Sequence, residues 1–171
     1  RYALPDVSVP DLHATDDLGG SSTDDLTSAT TLTFTGSAPA GSTVQLFVDG
    51  VASGSTCAAD ATTGAWSCDT GVLTAGEKSV TAQATTVLTE GRFTSTSSGL
   101  TVTIDTTLPT VTAFSSSTAD GTYGVGATIS IAATTSEAIR SGNSLTVTLE
   151  TGSVDRTVSL TADTAGTSLT G

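Results

Sequence analysis

The residues of this chain best suited to chemistry are carboxylates crowded into one acidic segment, residues 11–29. Its aspartates are interspersed with glycines and serines, and they are Asp11, Asp16, Asp17, Asp24 and Asp25. Ca²⁺ takes about six to eight oxygen ligands from carboxylates, backbone carbonyls and waters. Asp17, Asp24 and Asp25 could fold over one such ion, although no glutamate stands where an EF-hand loop needs its bidentate ligand. The alternative is that these aspartates only form turns and caps.

Asp105 is a further candidate ligand, because it stands where the last predicted strand of the first half of the chain ends. The sequence leaves open whether that exit and the acidic segment share one end of the fold. An ion bridging two successive domains would fix the angle between them and turn a flexible chain into a rod.

The two cysteines, Cys57 and Cys68, can be placed opposite each other. If residues 61–64 form a four-residue hairpin loop, the two side chains face across neighbouring strands. A cross-strand disulfide would then indicate an oxidising compartment and would stabilise the fold by about 2–3 kcal/mol, since the closed loop is short. The alternative is two free buried thiols. Two cysteines and one histidine are too few ligands for a structural zinc site.

Catalysis has weak support in the sequence. His13 is the only histidine, so we expect an exposed loop residue and not a member of a Ser-His-Asp triad, and no nucleophile-elbow motif accompanies it. Paired carboxylates for glycoside hydrolysis stay open, yet the acidic residues fall in predicted turns without an aromatic platform. We expect Trp66 to be a core residue. We therefore predict that the chain is not an enzyme.

Composition and charge narrow the function further. The formal net charge of −12 and the pI near 4.1 argue against nucleic acid, which needs a basic surface, and against an anionic membrane. No apolar run approaches the about 18 residues of a membrane helix. The sequence begins at Arg1 without a targeting pattern, so we expect an internal piece of a longer protein.

The hydrophobic pattern predicts an all-β fold. Apolar residues alternate through Leu32 and Phe34 and again from Val44 to Val48, and Asp49-Gly50 is a type I′ hairpin signal. We predict a connector at 1–10, a β-sandwich of about seven strands at 11–105 with a loop-rich part at 86–98, and a linker at 106–109. A second sandwich at 110–171 has only four or five predicted strands, so its C-terminal strands are missing or supplied by a partner.

Many short motifs in order give the first of these domains a family resemblance. They include Pro10-Asp11-Leu12, Asp17-Leu18-Gly19, Thr23-Asp24-Asp25-Leu26-Thr27, Leu32-Thr33-Phe34-Thr35-Gly36, Ala40-Gly41-Ser42-Thr43-Val44 and Leu100-Thr101-Val102-Thr103-Ile104-Asp105. Together they resemble bacterial immunoglobulin-like (Big) repeats, which occur in tandem in large surface adhesins and biofilm proteins. The resemblance covers residues 10–109, and residues 109–171 look like a different Ig-like repeat.

The resemblance implies tandem Greek-key sandwiches, an extracellular location on the bacterial cell surface, neighbouring repeats as partners, and calcium at or near the domain junctions. On this basis Asp11 joins the candidate ligands. The sequence departs from the family pattern where members often carry an aspartate before the last strand. The carboxylate there is either gone or replaced by Glu90, so one ligand of the junction ion is open and Glu90 is a candidate for it. The cysteine pair is also not a usual feature of the repeat.

Three functions follow as hypotheses. The first is a non-enzymatic structural or adhesive module, stiffened by calcium. The second is a subunit of a surface filament or lattice in which another copy completes the second domain by β-strand addition, with residues 2–9 as a conceivable donor. The third is a carbohydrate-binding accessory module of a secreted enzyme, which saturable binding on a glycan array would reveal.

Overall fold

The computed structural model describes residues 6–89, 91–150 and 153–171. The chain forms two compact units, the first ending at Thr106 and the second beginning at Thr107, so the boundary falls within residues 106–109. Strands alternate with turns in both units, and the described residues contain no helix. The all-β prediction is therefore confirmed.

In the described part of the first unit, nine strands form two sheets. They are β1 (Asp11–Leu12), β2 (Leu26–Thr27), β3 (Thr33–Ser37), β4 (Thr43–Val48), β5 (Val51–Ala58), β6 (Ala65–Asp69), β7 (Gly76–Leu88), β8 (Gly91–Thr96) and β9 (Leu100–Ile104). One sheet has the order β1-β3-β6 and the other β2-β9-β7-β4-β5, with β8 also paired to β7. The pairings are antiparallel except between β2 and β9, which run parallel.

The core of the first unit lies between its two sheets. Alternation along β3 and β4 turns Phe34, Val44 and Leu46 inward, because successive side chains of a strand point to opposite faces. The Asp49-Gly50 turn follows β4, and both residues have positive φ, 51° and 80°, as a type I′ hairpin requires. The Asp49 carboxylate also accepts the amide of Ser79 at 2.9 Å.

Two predictions about the first unit were wrong. Residues 86–98 are not loop-rich, since β7 continues to Leu88 and pairs with β8 as a hairpin. The connector predicted for residues 1–10 is also shorter, because Val7 is buried in the core and the amide of Ser8 donates to the Ser37 carbonyl at 2.9 Å. The first sandwich therefore begins before Asp11.

The second unit is one antiparallel sheet within the described residues. Its strands are β10 (Val111–Ser115), β11 (Ala132–Ile139), β12 (Ser144–Leu149), β13 (Arg156–Thr161) and β14 (Gly166–Thr170). The order is β10-β11-β14-β13-β12, so β10 and β12 are its edges. Its buried apolar residues are Ala133, Leu160, Ala162 and Leu169. The described part of this unit forms five strands in one sheet and no second sheet.

Candidate metal centre

The acidic residues sit on a crossover, residues 13–25, which carries the chain from β1 in one sheet to β2 in the other. The crossover is anchored where it begins: the amide of Asp16 donates to the His13 carbonyl at 2.8 Å. The Asp16 carboxylate then accepts a hydrogen bond from the amide of Thr33 at 2.7 Å. The backbone carbonyl of Asp16 accepts one from the hydroxyl of buried Thr27. These bonds attach the crossover to both sheets.

Asp24 shapes the second half of the crossover. Its carboxylate accepts the amide of Ser21 at 3.1 Å and the amide of Leu26 at 3.3 Å. Gly19 donates its amide to the Leu26 carbonyl at 2.8 Å, and a side chain at Gly19 would collide with that oxygen. Asp24 therefore acts partly as a turn former, as the alternative interpretation of these aspartates expected.

Asp17 differs from its neighbours, because only 1 % of it is exposed. Its Oδ1 is buried and has no hydrogen-bond partner within the described residues. Burial raises the pKa of Asp17; a hydrogen bond with the backbone of Asp25 opposes this rise, and the side chain of Asp24 adds to it. A buried carboxylate without full compensation disfavours its own charged form.

Asp25 lies close enough to Asp11, Asp17 and Asp24 for the four negative charges to interact. Burial raises the pKa of Asp25, and the negative charges of Asp11 and then Asp24 raise it further. Asp25 also has an unusual positive φ of 55°, which aspartate tolerates better than most residues. The four carboxylates therefore share one repulsive field, which a cation would relieve.

A cavity of about 310 Å³ lies between β1 and the crossover, lined among others by Asp11, Asp17 and Asp25, together with Ser22 and Thr23. No set of three or more His, Cys, Asp or Glu side chains in the described part of the chain is gathered closely enough to hold an ion. The oxygen-only chemistry nevertheless fits Ca²⁺, which also uses carbonyl and water oxygens. Among the observations at this site, the buried Asp17 oxygen without a hydrogen-bond partner fits a bound cation best.

Asp105 lies at the same end of the first unit as the crossover. Its amide donates to the Thr27 carbonyl at 2.8 Å, and the amide of Thr103 donates to the Asp25 carbonyl at 2.9 Å. Thr27 thus connects the crossover to the residue with which the chain leaves the last strand. Glu90 lies outside the described residues, so its candidacy stays a prediction.

The structure contains the Cys57–Cys68 disulfide, but the hairpin from which we inferred it was wrong. Cys57 lies on β5 opposite Val44, and Cys68 lies on β6 opposite Phe34. Since β5 and β6 belong to different sheets, the bond joins the two layers, with Cα atoms 5.6 Å apart.

The turn between the cysteines is formed as expected. The amide of Asp60 donates to the Ala65 carbonyl at 2.8 Å. The Asp60 carboxylate accepts the amides of Thr63 and Thr62 at 2.7 and 2.9 Å, and these bonds lower its pKa. The residues before and after the turn then diverge into separate sheets.

Sequence reasoning missed a second contact between β5 and β6, at Gly54 and Asp69. A side chain at Gly54 would meet the Asp69 carbonyl oxygen at 1.9 Å. The β4–β5 register is irregular just before this contact, and there the side chain of Gln45 on β4 donates to the Ser53 carbonyl at 3.0 Å. A glycine inside a strand pattern often marks such a bulge or close approach, so Gly54 was the available signal.

The other residues considered for chemistry have structural positions. Trp66 is buried in the core, and a side chain at Gly36 would overlap its ring. His13 is exposed, and its Nδ1 lies 2.8 Å from the Thr15 hydroxyl. In the described residues, no helix is long and apolar enough to cross a membrane.

Comparison with known proteins gives one match. The family described as a bacterial Ig-like domain matches residues 3–106, which is more than half of the chain and includes both sheets of the first unit. No curated protein and no solved structure matches the chain.

Proposed function

The chain belongs to the bacterial Ig-like domain family through residues 3–106, and from this premise we propose that it is a non-enzymatic spacer module of a bacterial surface adhesin, stiffened by calcium. Domains of this family typically occur in surface or extracellular proteins and are generally non-catalytic. The disulfide between the sheets favours the same oxidising environment.

The calcium site in this proposal rests on one observation. The buried Oδ1 of Asp17 has no hydrogen-bond partner in the described residues, and Asp17 lines a cavity together with Asp11 and Asp25. A cation at this position would supply the positive charge that the group lacks. Asp17 would be its innermost ligand, and Asp11 on β1 and Asp25 before β2 would act on it through bound waters, which Ca²⁺ also accepts as ligands. The amide of Asp105 bonds to the carbonyl of Thr27, two residues after Asp25, which links this region to the exit of the chain.

The expected stabilisation is modest. Extracellular calcium modules typically have dissociation constants of about 10⁻⁴–10⁻³ M. At a tenfold excess of calcium over the dissociation constant, one site raises the free energy of unfolding by about 1.4 kcal/mol. This is enough to move the thermal midpoint of a domain of this size measurably.

Thermal unfolding with Ca²⁺ or with EDTA tests the site. We expect Ca²⁺ to raise the midpoint of the first unit in the wild-type protein and in Asp69→Asn, a control that removes an exposed charge from the same unit. Asp17→Asn should lose this response. In EDTA, Asp17→Asn should unfold at a higher temperature than the wild type, because it removes a buried charge without a partner.

Titration calorimetry with CaCl₂ supplies a second readout. We expect heat of binding from the wild type and from Asp69→Asn, and none from Asp17→Asn. An unchanged wild-type midpoint together with no heat of binding would rule calcium out, and the spacer function would then stand on the family membership alone.

A second candidate function is assembly by β-strand addition, and it is favoured by β12. Among the described residues this edge strand pairs only with β13, and it carries no charged residue between Ser144 and Leu149, so it lacks the charges that usually protect an edge. The donor proposed from sequence is not available as a whole, because Val7 and Ser8 are held by the first unit.

Size-exclusion chromatography with and without EDTA separates the two functions. A monomer at all concentrations supports the spacer. Polymers that Thr146→Lys on β12 disperses, and that Ser55→Lys on β5 does not, would support the filament, since both residues are exposed on edge strands.

A further inference from the structure

The chain passes through the first unit from one end to the other. At the upper end, the amide of Ser8 bonds to the Ser37 carbonyl. At the lower end, β9 finishes at Ile104 beside Gly76. Tension along the chain would therefore pull β1 towards the upper end and β9 towards the lower end, and would load their hydrogen bonds in shear.

The first and last strands of this path, β1 and β9, differ in how many residue pairs bind them to neighbouring strands. β1 has one neighbour, β3, with two residue pairs, supplemented by the bond from the His13 amide to the Thr33 carbonyl at 2.9 Å. β9 has two neighbours, with five residue pairs to β7 and two to β2. Under equal tension, β1 should therefore detach first.

The crossover, residues 13–25, is the next part of the path. Once β1 detaches, this segment can extend until the tension reaches β2. There the parallel pairing holds through the bonds from Thr103 to Asp25 and from Asp105 to Thr27, 2.9 and 2.8 Å long. Because β2 and β9 run parallel and are pulled in opposite directions, these bonds must break together.

The disulfide lies outside this path. Cys57 and Cys68 join β5 and β6, the edge strands on the opposite side of the two sheets from β1 and β2. The bond therefore does not resist the detachment of β1 or of β2. It acts afterwards, since the eleven-residue step between the cysteines cannot extend while the bond is intact.

We propose that the first unit opens under tension in an ordered sequence: β1 with the crossover first, then the β2–β9 pairing, with the disulfide limiting the final length. The inference rests on the proposed spacer function, because only a spacer is placed under tension. It also extends the role of the cation, because Asp11 on β1 and Asp25 before β2 lie on either side of the crossover. An ion held by both would bypass the crossover and merge the two steps.

Single-molecule force spectroscopy of the whole chain, pulled from its ends, tests the order. In EDTA we expect the first unit to give a first extension of up to about 63–68 Å, the length of residues 7–25 at about 3.3–3.6 Å per residue, and then a second, larger step. The second unit adds its own extension, which reduction should leave unchanged because both cysteines lie in the first unit. Reduction, or the double variant Cys57→Ser and Cys68→Ser, should lengthen the second step by about 30–35 Å without changing its force. With CaCl₂ the two steps should become one at higher force.

Matched variants test what holds the first step. Thr27→Val removes the hydroxyl that joins Asp16 of the crossover to β2 and should lower the force of that step, whereas Thr101→Val changes an exposed residue of β9 and should not. Equal effects of the two variants, a single step of the first unit in EDTA, or a second-step force that falls on reduction would each overturn the inference. If CaCl₂ has no effect but the two steps have the expected lengths, the sequence of opening stands and the calcium proposal fails.

Discussion

The two units are built from similar Thr-rich alternating strands, yet they bury their apolar residues very differently. In the first unit, Phe34, Leu46 and Ile104 are enclosed between two sheets. In the second unit, every residue of β10 is exposed, including Phe114, which is 57 % exposed. Alternation is therefore enough to form a sheet with a few buried apolar residues, but a large enclosed core forms only where a second layer covers the sheet.

The edge strands of the two units also differ in how far other parts of the chain cover them. In the first unit, β5 and β6 approach each other through the disulfide and the Gly54–Asp69 contact, and the crossover spans β1 and β2 on the other side. In the second unit, β10 and β12 each have one neighbouring strand in the sheet. Closure of the sides, more than strand composition, separates a packed sandwich from an open sheet.

The largest expected effect comes from the aromatic core. Phe34→Ala should lower the free energy of unfolding of the first unit by about 3–5 kcal/mol, because Phe34 is fully buried and its removal leaves a cavity. Phe114→Ala is the matched change in the second unit and should shift stability by less than about 0.5 kcal/mol. Denaturant unfolding followed by circular dichroism measures both, and equal effects would show that β10 is covered in solution.

The disulfide should have the next largest effect, confined to the first unit. Reduction should lower the free energy of unfolding of that unit by about 2–3 kcal/mol, since it releases a short closed loop. The only tryptophan, Trp66, lies in the first unit, so its fluorescence reports this unit alone. A second-unit transition that also moved on reduction would contradict the separation of the two units.

The smallest expected effect is a difference in pH dependence between two aspartates of the first unit. In EDTA, the pKa of Asp17 is raised in the folded state, so the folded protein holds this proton more tightly. Its contribution to the free energy of unfolding falls as the pH rises from near 3.8 through the raised pKa.

The contribution of Asp60 to the free energy of unfolding changes with pH in the opposite direction, because the folded-state pKa of Asp60 is lowered. Its contribution is present above about pH 3.8 and is lost as the pH falls through the lower value. Asp17→Asn and Asp60→Asn should therefore change the pH profile of Trp66 fluorescence unfolding in opposite senses. Shifts in the same direction would show that the two carboxylates have similar environments.

Some features of the fold were accessible from local sequence because their causes are local. The Asp49-Gly50 turn follows from the backbone freedom of these two residues, and the strands around Phe34 and Leu46 follow from alternation. The β8 strand was missed because Phe93 is its only apolar residue and most of the strand is exposed. A strand that buries little apolar surface has no clear hydrophobic pattern, and it is formed through pairing with β7.

The sequence by itself determined that this protein is made of sheets, that it belongs with the bacterial Ig-like repeats, and that its carboxylates are concentrated before β2. These properties depend on residue type and on neighbours along the chain. Only the tertiary structure decided that Cys57 and Cys68 join opposite sheets, and that Asp17, alone among the described acidic residues, is fully buried. Both outcomes depend on where the chain leaves one layer and enters the other, a choice made by long-range packing.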